Sequence, residues 1–189
     1  MACTVLVPIA TGSEEIETVC IVDTLVRAGA AVTVASVEAS TTCKMSRGVV
    51  MVADVLIAEA VEKEYDCIAV PGGMPGAKTI SESTPFVDCL KKHAAAGKTY
   101  GAICAAPAVV LQAHGLIPAG AAATCFPAFK EKLEAPSESR VVTTGKLVTS
   151  RGPGTAIEFA LALIDQLMPK LDAAKAAAVP KQMLVAGYE

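Results

Sequence analysis

The residue with the clearest chemical potential is Cys104, which lies where a predicted strand runs directly into a predicted helix. The segment Tyr100–Pro107 (YGAICAAP) surrounds it with small residues, so the chain can turn sharply there and expose the thiol. A sulfur atom at a helix N-terminus lies in a partial positive charge, which favours the reactive thiolate. The segment therefore predicts a nucleophilic cysteine, and the alternative is a cysteine buried in a tight turn.

Two further segments follow predicted strands and should reach the same edge of a sheet as Cys104. Ala10–Glu17 (ATGSEEIE) follows the first strand, and Val70–Ala77 (VPGGMPGA) follows the third. Within the second segment, Gly72 and Gly73 can present bare backbone N–H groups to an anion. These three segments together predict one site at that edge.

The elements that must position these segments are alternating apolar strands and amphipathic helices. The predicted strands are Thr4–Ile9, Ala31–Ser36, Cys67–Val70, Thr99–Ile103, Val141–Thr144 and Leu147–Ser150, the last two forming a hairpin. The predicted helices are one capped by Ser13 and ended by Gly29, then Thr84–Ala96, Ala105–His114, Pro153–Met168 and Leu171–Ala178. This alternation predicts an α/β fold with a mostly parallel sheet, helices on both faces and ligands at the carboxyl ends of the strands.

The first helix has a predicted apolar stripe facing the core, formed by Ile16, Val19, Val22, Leu25 and Val26. Its first-turn residues Glu14 and Glu15 are expected to be solvated carboxylates that suit the helix dipole.

Composition limits the classes of protein that the chain can belong to. Its 189 residues suit one compact domain over 1–189, with 53% hydrophobic residues for a core. A net charge of -3 without a basic patch disfavours nucleic acid as a partner. No apolar stretch approaches the roughly 18 residues of a membrane span, and the start lacks the positive region of a signal peptide. We therefore expect a cytoplasmic protein without a membrane partner.

The seven cysteines include no CxxC pair, which disfavours structural zinc and thioredoxin-like chemistry. We expect free thiols in a reducing compartment, most of them packing residues, and no metal or organic cofactor. Cys43 lies in a polar loop and is expected to be exposed, while Cys20 and Cys125 are candidates to face the site. His93, in a Lys-Lys-His run, is expected at a solvated helix end.

Four co-linear segments resemble the ThiJ/PfpI (DJ-one) superfamily: Gly12–Glu17 (GSEEIE), Pro71–Gly73 (PGG), Ala102–Pro107 (AICAAP) and Ser150–Thr155 (SRGPGT). The resemblance covers nearly the whole chain and is strongest to the small DJ-one-like branch. It implies a flavodoxin-like three-layer α/β sandwich that forms a homodimer.

The resemblance also implies roles for individual residues. Cys104 would be the functional cysteine, Glu17 would hydrogen-bond to it, and Gly73 and Ala105 would supply backbone donors around an oxyanion. Electrostatics agrees, because a carboxylate held against a thiolate would repel it. We therefore expect Glu17 to be protonated, with a raised pKa, and to donate a hydrogen bond that lowers the pKa of Cys104. The alternative for Glu17 is a solvated carboxylate.

The chain departs from the superfamily at two positions. PfpI-type proteases carry His after the nucleophile, where this chain has Ala105, so peptidase activity is disfavoured. Some DJ-one-like members have His before a proline across the pocket, where this chain has Phe126, so a mechanism using that base is disfavoured. Arg47 and Arg151 match arginines of the family pattern and, with Gly72 and Phe126, are candidate pocket residues. Structural ion pairs are the alternative for both arginines.

Three functions remain open from the sequence. The resemblance implies a glyoxalase-like enzyme, in which the Cys104 thiolate attacks a small α-oxoaldehyde such as methylglyoxal or glyoxal, or a related deglycase acting on early glycated side chains. The second is a redox-sensing stress protein or chaperone, in which Cys104 is oxidised to sulfinate without turnover. The third is a binding module with an unreactive cysteine.

Overall fold

The structure is a computed structural model that describes residues 2–188, so both ends of the predicted 1–189 domain lie outside the described residues. All six predicted strands are present with the predicted bounds. The strands are β1 (Thr4–Ile9), β2 (Ala31–Ser36), β3 (Thr42–Lys44), β4 (Val50–Val52), β5 (Val55–Leu56), β6 (Cys67–Val70), β7 (Thr99–Ile103), β8 (Val141–Thr144) and β9 (Leu147–Ser150). The hairpin β3–β4 and the short β5 were not predicted, because their two or three residues carry too little periodic pattern.

The α-helices are α1 (Glu15–Arg27), α2 (Ile57–Ala60), α3 (Gly76–Glu82), α4 (Thr84–Ala95), α5 (Ala156–Leu167) and α6 (Ala173–Gln182). The predicted helix 153–168 begins as a 3₁₀ turn before α5, and the predicted helix 171–178 is α6 with shifted ends. Helix α1 contacts both α5 and α6, while α4 contacts both α2 and α3. None of the described helices combines the length and apolar character that a membrane crossing requires.

The main sheet has seven strands in the order β5-β2-β1-β6-β7-β9-β8. All its neighbours pair in parallel except the β8–β9 hairpin. Strand β1 pairs with β2 on one side and with β6 on the other, so the chain reverses its direction across the sheet at this point. Open α/β sheets bind ligands outside the carboxyl ends of the strands at such a reversal. The loops after β1, β6 and β7 lie at that edge.

Strands β6 and β7 are buried along their whole lengths, as expected for central parallel strands covered on both faces. Cys104 immediately follows β7, and Gly72 and Gly73 follow β6 after Pro71. The candidate residues therefore follow strands that are buried in the centre of the sheet.

Helix α1 differs from its predicted orientation. Ile16, Val19 and Val26 of the predicted stripe are about half exposed, while Thr18 and Ile21 are buried with Leu25. The physical reason lies at the first turn, where the helix buries Glu17 against the loop after β6. Once that side chain points inward, helical periodicity turns the Ile16, Val19 and Val26 face outward.

The start of α1 also differs from the prediction. Its N-cap is Glu14, whose Oε2 accepts a 2.8 Å hydrogen bond from Glu17 N–H, whereas the Ser13 hydroxyl accepts from Ala10 N–H. Neither first-turn acid is solvated, since Glu15 is buried and accepts hydrogen bonds from the Ser46 hydroxyl and from a backbone N–H. The donors to Glu15 lie in the loop between β3 and β4. The spacing of residues within the helix does not reveal a contact with a loop distant in sequence.

The predicted helix 105–114 is present, but it is not a regular α-helix. Cys104 and Ala105 form a turn, Pro107–Leu111 is a π-helical turn and Gln112–His114 is a 3₁₀ turn. The Ser81 hydroxyl donates 2.8 Å to the Val109 carbonyl, an acceptor that a regular α-helix would use for a backbone N–H one turn later.

Two predicted exposures are also wrong. Cys43 is fully buried, with its sulfur 3.4 Å from the Ser36 hydroxyl, because β3 folds back over the end of β2. His93 is buried because its Nε2–H donates 2.7 Å to the Thr99 carbonyl, which ties the end of α4 to the start of β7.

Candidate active site

Cys104 occupies a strained turn between β7 and the π-helical segment. Its φ is 64°, a left-handed conformation that residues other than glycine rarely adopt. Its N–H donates 3.0 Å to Ser150 O, and its carbonyl accepts 2.7 Å from Phe126 N–H. Both backbone groups are thus satisfied by neighbouring segments, which hold the elbow in this conformation and its side chain at the carboxyl edge of the sheet.

Glu17 is completely buried beside this elbow. Its Oε2 accepts a 2.8 Å hydrogen bond from Gly72 N–H. Its Oε1 is buried and has no hydrogen-bond partner of regular geometry among residues 2–188. Cys104 is close enough for each of the two side chains to shift the pKa of the other. A proton on Oε1 would satisfy this atom by making it a donor.

The loop after β6 packs so closely on the elbow that it requires glycine. A Cβ on Gly72 would lie 2.6 Å from the Cβ of Cys104 and 2.8 Å from Ile103 O. Gly73 has φ +85°, and a Cβ there would lie 2.5 Å from Gly12 O. This approach places the N–H groups of Gly73 and Ala105 near the Cys104 thiol, and both groups lower its pKa.

Burial is nevertheless the largest influence on both ionisable groups. It raises the pKa of Glu17 to about 7, although the Gly72 N–H and the Cys104 thiol partly oppose it. The pKa of Cys104 is raised to about 12, first by burial and then by the negative charge of Glu17. The raised pKa of Glu17 agrees with the sequence-based expectation.

The expectation of an exposed, low-pKa thiol at position 104 is wrong. Cys104 is only 9% exposed, because the glycine loop and Glu17 close over it. What the structure presents is a buried acid–thiol pair with backbone donors on the sulfur.

The other candidate pocket residues are Phe126, Arg151 and Arg47, and each has its own contacts. Phe126 is 41% exposed and its ring lies near Gly152, while its backbone N–H donates to the Cys104 carbonyl. Arg151 makes an ion pair of 2.8 Å with Glu138, which is the structural role that the sequence analysis gave as the alternative for this residue. Arg47 donates from its backbone N–H to Glu15 and from its guanidinium to Ser46 O.

Two cysteines named as candidates for facing the site have other surroundings. Cys125 is buried, and its thiol donates to Phe126 O at 3.3 Å. Cys20 is partly buried on α1, and it packs against the core.

Sequence reasoning missed the residues that orient Glu17. The Glu14 carboxylate accepts a hydrogen bond from Glu17 N–H. The backbone of Glu14 is held in turn by a 3.0 Å hydrogen bond from its N–H to Gly72 O. An acidic residue three positions before Glu17 is an acceptable capping signal, but Ser13 offered a competing one. Across the described part of the chain, no three His, Cys, Asp or Glu side chains are grouped as metal ligands, and the cysteines are free thiols.

The fold and site define a class: a flavodoxin-like α/β protein that carries a cysteine on the elbow after a central strand, paired with a buried glutamate. The sequence model of the DJ-1/PfpI family matches residues 3–166. The chain belongs to the DJ-1/PfpI family.

Known members are similar to the chain in sequence and structure. The Toxoplasma gondii DJ-1 structure, in an oxidised form, superposes with a TM-score of 0.92 at 50% identity and covers 98% of this chain and 100% of that one. Protein DJ-1 homolog B of Arabidopsis thaliana is 51% identical over 164 residues, which is 86% of this chain. Glutathione-independent glyoxalase DJR-1.2 of Caenorhabditis elegans is 36% identical over 159 residues, covering 82% of this chain and 83% of that protein. The chain spans only 37% of the length of Arabidopsis homolog B and 43% of that of homolog A.

Proposed function

We propose that this protein is a cofactor-independent glyoxalase that converts small α-oxoaldehydes such as methylglyoxal or glyoxal into hydroxy acids through Cys104 and Glu17. The observation that carries the proposal is the buried Glu17 carboxyl, which has one oxygen without a regular partner and a thiol beside it. The related deglycase reaction on early glycated side chains would begin with the same nucleophile. The C. elegans relative named as a glyoxalase supports this reaction class.

The raised pKa values suit a pair that shares one proton. Above the Glu17 pKa of about 7, the pair holds one proton, either on the thiol or on the carboxyl. The two forms differ only in which atom carries it. Glu17 can therefore take the thiol proton as sulfur attacks, so a free thiolate need not accumulate.

The proposed reaction begins when Cys104 Sγ attacks the aldehyde carbon and its proton passes to Glu17. The resulting oxyanion is stabilised by Gly73 N–H and Ala105 N–H and then protonated by Glu17 to give a hemithioacetal. Through an enediol, the proton on the former aldehyde carbon moves to the neighbouring carbonyl carbon and the hydroxyl proton moves to the neighbouring oxygen, which isomerises the hemithioacetal to a thioester. Water hydrolyses the thioester to lactate in the case of methylglyoxal and restores the thiol, so one water is consumed and no oxidant is needed.

Glu17 is the titratable group best placed for these proton transfers. His93 donates to Thr99 O at the far end of β7, and His114 hydrogen-bonds to Ser81. Phe126, where some DJ-one-like members have His, has no titratable group. The proposal therefore assigns proton transfer to Glu17 alone.

The test is to incubate the protein with methylglyoxal and measure lactate. We expect turnover by the wild type and by Cys89→Ser, a control cysteine that precedes β7 on α4, and a loss of at least about 100-fold in Cys104→Ser and Glu17→Gln. We also expect kcat/KM to rise about tenfold per pH unit below pH 7 and to level off above it, because Glu17 must lose a proton before it acts as a base. Equal lactate formation by wild type and Cys104→Ser would exclude the mechanism.

A redox-sensing role is the second candidate, and the donors around the sulfur favour it. Hydrogen peroxide would convert the Cys104 thiolate to a sulfenate with release of water, and a second peroxide would give the sulfinate. Gly73 N–H, Ala105 N–H and a protonated Glu17 would hydrogen-bond to the new oxygens. Stoichiometric oxygen gain at Cys104, measured by mass spectrometry, without lactate turnover would favour this role over catalysis.

A further inference from the structure

The segment Ser150–Thr155 is one of the four segments that resemble the superfamily, and the proposed reaction gives it no role. It begins at the last residue of β9 and ends directly before α5. Because β9 pairs in parallel with β7, the segment reaches the same edge of the sheet as Cys104. Its two end residues, Ser150 and Thr155, are 0% and 6% exposed, so their hydroxyl groups need hydrogen-bond partners within the protein.

The Thr155 hydroxyl lies at the centre of this segment. Its Oγ1 accepts hydrogen bonds from Arg151 N–H at 3.2 Å and from Gly152 N–H at 3.1 Å. These two donors occupy both lone pairs of the oxygen, so its own proton points to Ser150 Oγ at 2.7 Å, which is nearer than Gly152 O at 2.9 Å. The Ser150 hydroxyl in turn donates 2.8 Å to Arg140 O. A continuous chain of hydrogen bonds therefore runs from the segment, through Thr155 and Ser150, to the residue before β8.

Ser150 links this chain of hydrogen bonds to one side of the Cys104 elbow. Its carbonyl accepts the 3.0 Å hydrogen bond from Cys104 N–H. Because the Ser150 side chain is held by Thr155 Oγ1 and Arg140 O, its backbone has little freedom to move away from the elbow. The left-handed φ of Cys104 is unfavourable, so the elbow keeps this conformation only where its surroundings hold it.

Phe126 holds the other side of the elbow, and it too lies beside the segment. Its N–H donates 2.7 Å to the Cys104 carbonyl. Its ring lies next to Gly152, where an added Cβ would be 3.5 Å from a ring carbon, an ordinary van der Waals distance. Gly152 is itself held by its hydrogen bond to Thr155 Oγ1. Both backbone hydrogen bonds of the elbow thus involve residues that are one contact away from the Thr155 hydroxyl or from its partner Gly152.

We propose that Thr155 is a positioning residue, whose hydroxyl group holds the two segments that fix the Cys104 elbow in its left-handed conformation. The assignment rests on the proposed glyoxalase reaction, in which Cys104 Sγ must be held to within about 0.5 Å of its productive position. Thr155 acts through Ser150 and Phe126 rather than through contact with the substrate. Valine has nearly the shape of threonine but no hydroxyl group, so Thr155→Val would leave two backbone N–H groups without their acceptor and allow the elbow to relax.

The first test compares Thr155→Val with Thr155→Ser in the turnover of methylglyoxal by the full chain. We expect Thr155→Val to lower kcat by about 10–100-fold and to leave KM within about twofold of wild type, because the nucleophile moves while the substrate contacts remain. Thr155→Ser retains the hydroxyl group and should keep kcat within about threefold of wild type. Thr24→Val is the matched control, because Thr24 is also buried but its hydroxyl contacts Met183 Sδ at 3.6 Å, and it should keep the wild-type kcat.

The second test is amide hydrogen exchange, measured by NMR, at the two N–H groups that form the hydrogen bonds of the elbow. We expect the amides of Cys104 and Phe126 to exchange at least about tenfold faster in Thr155→Val than in wild type, relative to the amides of β1, which report global unfolding. Thr155→Ser and Thr24→Val should exchange as the wild type does. This measurement needs no turnover, so it decides whether Thr155 holds the elbow even if the wild type forms no lactate and the proposed function fails.

The assignment is overturned if both amides exchange at the wild-type rate in Thr155→Val, or if an active wild type and Thr155→Val have the same kcat. It is also overturned if Thr155→Ser loses as much activity as Thr155→Val. Should Thr155→Val fail to fold, Ser150→Ala takes its place, since it removes the hydroxyl group that links Thr155 to the elbow. A wild-type kcat and wild-type exchange at Cys104 in Ser150→Ala would then overturn the assignment.

Discussion

At the scale of single residues, the site depends on the burial of two ionisable groups against each other. Glu17 is an acid in an apolar environment, which disfavours its charge, and Cys104 is enclosed by the same environment. The burial that raises the pKa of Glu17 therefore lowers the stability of the fold at neutral pH, and it also brings the pKa into the range useful for proton transfer. Active sites commonly carry such costs, because the geometry required for function need not be the most stable one.

The pKa of Glu17 predicts how stability changes with pH. Folding raises its pKa from an ordinary 4.5 to about 7, so the folded protein retains a proton that the unfolded chain releases in this range. The free energy of unfolding should thus fall as pH rises from 4.5 to 7, by up to about 3 kcal/mol from this group. Glu17→Gln removes the dependence, and we expect it to be more stable relative to wild type at pH 8 than at pH 5.

Urea unfolding of both proteins at the two pH values measures this change. Glu62→Gln is the control, because Glu62 is exposed and its neutralisation should not alter the difference. If the stability difference between wild type and Glu17→Gln is the same at pH 5 and pH 8, Glu17 does not titrate as described.

At the scale of elements, the site depends on how closely three chain segments approach each other. The start of α1 and the loop after β6 are joined by the 3.0 Å hydrogen bond from Glu14 N–H to Gly72 O, and the same loop lies on the Cys104 elbow. The reversal of chain direction between β1 and β6 brings these segments to one edge.

Gly72→Ala should damage both stability and catalysis. The added Cβ would lie 2.6 Å from the Cys104 Cβ and 2.8 Å from Ile103 O, so the loop must move away from the elbow. We expect a loss of about 1–3 kcal/mol in the free energy of unfolding, measured by urea titration, together with reduced turnover of methylglyoxal. Gly154→Ala is the matched control, because a Cβ there meets nothing within 4 Å. Wild-type stability in Gly72→Ala would show that the loop is looser than described.

At the scale of the whole molecule, α1 has an apolar face that residues 2–188 cover only in part. Ile16, Val19 and Val26 are about half exposed on this helix. Contiguous exposed apolar surface of this kind is typical of interfaces, and a two-fold dimer would bury the same face from both copies. This surface supports the homodimer that the family resemblance implies.

Val19→Glu should therefore weaken the dimer. We expect the wild type to be a dimer and Val19→Glu to shift toward monomer, because the variant places two like charges in a desolvated interface. Light scattering coupled to size-exclusion chromatography measures the mass. Ala95→Glu, at an exposed position of α4, is the control and should remain dimeric. A monomeric wild type, or a dimeric Val19→Glu, would contradict the assignment.

The sequence by itself determined the parts of the protein that depend on local pattern. Apolar runs with glycine and proline at their ends predicted all six strands with their observed bounds, since these signals lie within a few residues of each strand. The order of the elements placed three loops at one edge. The small residues around Cys104 predicted the sharp turn, which its positive φ bears out.

Only the tertiary structure decided which groups are enclosed. The inward face of α1, the cap by Glu14, the burial of Cys43 and His93, and the enclosed thiol of Cys104 all depend on segments distant in sequence. Desolvation is a property of everything packed around a group, so the pKa of Cys104 could not be obtained from its neighbours along the chain. Local pattern thus located the candidate nucleophile, and long-range packing determined the pKa of its thiol.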